Sequence, residues 1–179
     1  MITHSSTTDR GHHVLLQLSI LAVLLVGVGH AEAGRLAVSE ETLTGTWDCG
    51  PTTMKGHGLV MNVTSVTKLE ADRTFVTMGT NVIEPSGRSA VTIVSSARGT
   101  WRLEGTTLVW VYQESKFISS SDPTISAERG QQVEDDEMRK KSVFKSKILE
   151  LSRESMRRIP VDSAYPEAVV ESRCRRTAG

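Results

Sequence analysis

The chain has 179 residues, 21 Lys and Arg against 21 Asp and Glu, 38% hydrophobic residues and only 4% aromatic ones. With no net charge it exerts no global pull on nucleic acid, and its length allows about one domain around a single core. Two cysteines cannot make a thiolate metal centre without further ligands.

The first 33 residues stand apart from the rest. Residues 14–28 form an almost unbroken apolar run, followed by His30-Ala31-Glu32-Ala33, with small residues at both positions that a signal peptidase reads. The run falls short of the ~20 apolar residues of a bilayer-crossing helix, so residues 1–33 are expected to be a signal peptide rather than an anchor. The leader departs from the usual pattern in carrying only Arg10 as a firm positive charge, offset by Asp9. No cysteine follows the cleavage site, so no bacterial lipid anchor is expected. The sequence thus predicts a secreted or periplasmic protein with a short lead-in over 34–41 and one domain over 42–179. Once the leader is gone, His57 is the only histidine.

Beyond the lead-in the hydrophobic period is mostly two. Gly45-Thr46-Trp47 opens the first strand-like run, which carries Cys49. Residues 58–70 and 73–84 alternate and are rich in Val and Thr, with Glu70-Ala71-Asp72-Arg73 as the turn between them. Glu84-Pro85-Ser86-Gly87 is the next turn, before 89–96. A second Gly-Thr-Trp, Gly99-Thr100-Trp101, starts a hairpin whose arms, 99–103 and 106–117, meet around Gly105. The polar stretch 118–141 breaks the rhythm: Ser119-Ser120-Ser121-Asp122-Pro123 is turn composition, and 127–141 has few apolar anchors, compatible with a loop or a frayed helix. Strand candidates then follow at 142–151, 155–161 and 167–176.

The expected fold is all-β, an up-and-down barrel of about eight antiparallel strands, with a β-sandwich as the alternative. Cys49 lies in the first strand and Cys174 in the last, so in an oxidising compartment they are expected to pair. One face of the alternation gives the candidate interior and ligand-contact positions: Leu59, Met61, Val63, Phe75, Val91, Ile93, Trp101, Leu103, Leu108, Trp110 and Tyr112. A register slip of one residue would exchange inside and outside.

Leu43-Thr44-Gly45-Thr46-Trp47 resembles the opening motif of lipocalins, and Gly99-Thr100-Trp101 with Leu103-Glu104-Gly105-Thr106-Thr107-Leu108 looks like a hairpin of the compact secreted lipocalin-like proteins. The second and third lipocalin motifs are missing, and too few residues follow the last strand for a C-terminal helix, so the resemblance is to the compact class. It implies that Trp47 closes one end of the barrel beneath a basic side chain of the last strand, Arg173 or Arg175. It also implies an exported binding protein for a small apolar or amphipathic molecule, because eight strands enclose either a filled core or room for one such ligand.

The competing reading is an exported protein-binding barrel, for example a hydrolase inhibitor, that acts through rim loops including 118–141. No enzyme is expected. His57 sits in the flexible Lys55-Gly56-His57-Gly58 without a Gly-x-Ser-x-Gly elbow to supply a nucleophile, and no phosphate-binding loop or zinc spacing occurs. Glu134-Asp135-Asp136-Glu137 lacks the ligand spacing of a calcium loop and reads as a solvated acidic run. Neither cofactor nor metal is expected, and no membrane anchor remains after signal removal. Asn62-Val63-Thr64 fits the glycosylation acceptor pattern, which has meaning only in a producer that glycosylates exported chains.

Overall fold

The computed structural model describes residues 35–56, 58–161 and 171–177. The leader over 1–33, His57, and residues 167–170 of the last strand candidate lie outside the described residues. A four-residue helix α1 (Glu40–Leu43) precedes β1 (Gly45–Gly56), β2 (Leu59–Leu69), β3 (Thr74–Pro85), β4 (Val91–Glu104) and β5 (Thr107–Ser120). Helix α2 (Ala127–Lys140) follows, then β6 (Val143–Leu151), β7 (Ser155–Pro160) and β8 (Ser172–Thr177). Every strand pairs antiparallel with its sequence neighbour, and β8 returns to β1, which makes a closed up-and-down barrel. Closure satisfies the strand edges that an open sheet would leave unpaired.

Two sequence segments merge. The candidates at 89–96 and 99–103 are one strand, β4, which pairs with β3 without a break from Val91 to Thr100. Continuity at Gly99 depends on its missing side chain, since a Cβ there would lie 2.0 Å from the Val111 carbonyl oxygen and 3.0 Å from the Phe75 ring. The register shifts needed to curve this hairpin fall in β5, opposite Val94/Ser95 and Arg98/Gly99.

One end of the barrel is filled. Leu43, Trp47, Leu69, Trp101, Leu108, Leu151 and Met156 are buried there, and Leu36 and Val38 of the lead-in pack against them. The Leu36 amide donates to the Leu151 carbonyl at 2.8 Å, so the lead-in seals this end. The two Gly-Thr-Trp tripeptides serve it alike. Trp47 Nε1 donates to the Leu43 carbonyl at 2.8 Å and Trp101 Nε1 to the Glu70 carbonyl at 3.2 Å, each indole satisfying a carbonyl where the chain enters or turns.

Strand parity corrects one expectation. Trp47 pairs with Arg176 and Cys49 with Cys174, so the inward face of β8 carries Ser172, Cys174 and Arg176. Arg173 and Arg175 point outward, and Arg176 is the cation over Trp47. Cys49 and Cys174 form the expected disulfide, which ties the first strand to the last.

The segment 118–141 is more ordered than its composition suggests. Its first three residues complete β5, and Ser126 caps α2 by accepting from the Arg129 amide. With no apolar stripe, α2 docks through Gly130, which lies so close to Phe117 that a Cβ would come within 2.4 Å of the ring. Gln131 acts as a short strand: its side chain donates to the Ser115 carbonyl at 2.9 Å and accepts from the Phe117 amide at 3.0 Å.

Candidate functional site

Above the filled end the barrel is hollow. The hydrogen-bonded closure between β1 and β8 spans Thr46 to Cys49, and that between β5 and β6 spans Thr107 to Val111, whereas β2, β3 and β4 pair over most of their length. Inside lies a cavity of about 320 Å³. A smaller hollow of about 160 Å³ adjoins it toward β1 and β8. The larger volume is at the lower end of the range for small-molecule sites, roughly 300 to 1,000 Å³.

The lining is built by strand alternation. On β2 the inward series Val63, Ser65, Thr67 descends to the buried Leu69; on β3 Asn81, Gly79, Thr77 descends to Phe75; on β4 Ser95 and Ala97 precede Gly99 and Trp101. Each of these strands is thus apolar at the closed end and carries small or polar residues in the middle, with at least one hydroxyl per strand. Thr67 and Thr77 hydrogen-bond through their hydroxyls at 2.8 Å at the base of the hollow. Phe144 and Ser146 of β6 complete one wall together with Trp110, Tyr112 and Ser115 of β5. Rings cluster on this side: Phe75 meets Trp110 edge-on at 5.2 Å and Tyr112 at 5.0 Å, and Tyr112 meets Phe144 at 5.1 Å.

Two charged groups face the hollow. Glu134 of α2 reaches in from the mouth and accepts from the Ser115 hydroxyl at 2.5 Å. Arg158 of β7 enters from the wall, paired in register with Ile148 and Ser172, and lines both hollows. Its guanidinium lies over the Trp110 ring at 5.2 Å, and one nitrogen is 3.8 Å from the Cys49 sulfur. No carboxylate pairs with it among the described residues. Protein surrounds the group, its remaining exposure is toward the cavity, and this desolvation lowers its affinity for the proton. Burial raises the pKa of the Tyr112 hydroxyl, and the charge of Arg158 partly opposes the rise.

Of the eleven positions expected inside, all fall on the inward face by register. They do different things. Val63, Trp110 and Tyr112 line the cavity; Phe75, Trp101 and Leu108 are buried in the filled end, with Leu103 packed against them. Leu59, Met61, Val91 and Ile93 are half-buried, farther along the same faces toward the mouth. Ser65, Thr67 and Arg158 carry no apolar alternation that would mark them as inward. For the hydroxyls the available signal was parity, since Ser65 and Thr67 lie two and four residues beyond Val63, and Thr77 two beyond Phe75.

Asn62 sits on the outward face of β2, its side chain accepting from Thr53 at 2.7 Å and donating to Glu84 at 3.3 Å. Among the described residues no group of three or more His, Cys, Asp or Glu is gathered to hold a metal ion, and no helix is long and apolar enough to cross a membrane. Fold and cavity together define a closed eight-stranded barrel with an internal hollow. No protein-family model matches the chain, and no curated protein shows significant similarity to it.

Proposed function

We propose that this chain is an exported, lipocalin-like binding protein that holds one small amphipathic molecule inside the barrel. The observation that carries the reading is the division of the interior into an apolar filled end and a hollow lined by hydroxyls, three aromatic rings and one arginine. Thr67 pairs with Thr77 and Ser115 with Glu134, but Ser65, Asn81, Ser95 and Ser146 line the hollow with no side-chain partner among the described residues, the arrangement of a site that gains partners from a ligand. A wholly apolar guest would leave them unpaired, so the amphipathic half of the expectation is favoured. Export is supported by the disulfide and by the leader-like composition of residues 1–33. The segment that a rim-loop inhibitor would present is held to its own barrel through Gly130 and Gln131, which favours binding inside over docking by a free loop.

The test is native mass spectrometry of the exported form together with displacement of a fluorescent fatty-acid probe. A stoichiometric, displaceable ligand supports the reading. A dry interior with no uptake of the probe overturns it.

A further inference from the structure

We infer that Arg158 is an anchor for a single carboxylate, so that the guest of the cavity is an amphipathic acid that enters head first. This rests on the cavity-binding reading and specifies the chemistry of the guest. A cation held away from bulk water without a counter-ion is costly, and a fold has no structural reason to keep one where serine or threonine already lines the wall. The guanidinium centre lies over the Trp110 ring and one nitrogen is directed at the Cys49 sulfur, so the remaining N–H groups of a side chain that lines both hollows have no protein acceptor among the described residues. Those groups match a planar carboxylate in a two-pronged pair, the geometry in which arginine differs most from lysine. Ser172 is the register partner of Arg158 on β8, Ser146 pairs with Pro160 two residues along β7, and both line the smaller hollow with Arg158, their hydroxyls available to the same oxygens.

The charge count selects a monoanion. Arg158 contributes one positive charge to the lining, while Glu134 places a negative one at the mouth, where it is bonded to Ser115 and not to Arg158. A dianionic head group would be under-neutralised at the arginine and repelled by Glu134. The apolar part of the guest has a route outward: beyond Val63 and Ser95 the inward faces continue through Met61 and Ile93, both half-buried.

The experiment compares octanoate, octanol and octyl phosphate by calorimetry on the exported form and on two variants, Arg158→Met and Arg158→Lys. Octanoate is expected to bind at least about tenfold more tightly than octanol. Arg158→Met abolishes that preference without weakening octanol, and Arg158→Lys, which keeps the charge but not the fork, retains only part of it. The wild-type protein supplies an independent readout should either variant fail to fold: the Arg158 side-chain N–H resonance shifts with octanoate and not with octanol. Equal binding of acid and alcohol overturns the anchor while leaving cavity binding intact. Preference for octyl phosphate overturns the single-charge assignment, and failure of all three to bind overturns both readings.

Discussion

The guanidinium of Arg176 lies over the ring of Trp47, 4.3 Å from its centroid, and donates to the carbonyls of Thr42 and Thr44, each at 2.5 Å. One side chain of the last strand thus caps the end of α1 and covers the tryptophan of the first strand. Gly45 makes room for it, since a Cβ there would fall 2.5 Å from the arginine nitrogen. The Arg176→Ala variant is expected to lose about 3 kcal/mol, from a shielded cation–ring contact and two charge-assisted hydrogen bonds. Arg175→Ala, on the outward face, should stay within about 0.5 kcal/mol of wild type. Urea unfolding of the two variants side by side checks the assignment, and equal losses would contradict it.

The Cys49–Cys174 bond closes a loop of 125 residues. Replacing both cysteines by alanine should cost about 2 to 5 kcal/mol, and the reduced wild type should match the double variant. Thermal unfolding with and without reductant measures it. A variant with wild-type stability would show that barrel closure by the β1–β8 ladder suffices.

Glu171, beside β8, is gripped by Arg157 of β7 through contacts of 2.5 and 2.6 Å. Hydrogen bonding to Arg157, aided by Arg173, holds its carboxyl down to about 2 from the ordinary 4.5. A depressed folded-state pKa stabilises the fold fully above the unfolded value, and that contribution disappears as pH falls through about 2. The stability gap between wild type and Glu171→Gln should therefore be constant at neutral pH and close progressively under acid. In a carboxyl NMR titration, Arg157→Gln should return Glu171 toward its ordinary range.

The contact of Gly130 with Phe117 is where α2 meets the barrel. Gly130→Val is expected to lift the helix without unfolding the strands. Hydrogen exchange should speed up by at least about tenfold across α2 and stay unchanged in β2 to β4. Global loss of protection would place α2 inside the cooperative core instead.

Gly79 lines the cavity, and the nearest atom to a Cβ built there, the Thr64 carbonyl oxygen, is 3.8 Å away, an ordinary contact. Gly79→Leu should therefore fit, fill the hollow and improve the strand. Uptake of the fatty-acid probe should fall by about tenfold or more, equivalent to about 1.4 kcal/mol, with the melting temperature unchanged or raised. Undiminished uptake would place the ligand elsewhere.

Much of the architecture was legible in one dimension. Alternation in 58–70 and 73–84 set the strands, and Gly105 and Arg73 sit at positive φ in the turns their neighbours announce. Parity could have carried further: Trp47 and Cys49 share a face, Cys49 bonds Cys174, and two residues on stands Arg176 rather than Arg173 or Arg175. A frayed helix over 127–141 is one of the two readings that stretch allows, but the docking of α2 was hidden because it uses a bare glycine and a glutamine side chain, neither of which leaves a hydrophobic period.

The sequence by itself determined the run of antiparallel strands and the pairing of the first-strand cysteine with the last-strand one, because period-two alternation and turn chemistry are local signals and two cysteines allow a single pairing. Only the tertiary structure decided which strand face turns inward, that the middle of the barrel is hollow, and that Arg158 faces it with no carboxylate partner among the described residues. Whether an inward serine meets a partner or empty space depends on strands far apart in the chain, brought into register only when the barrel closes.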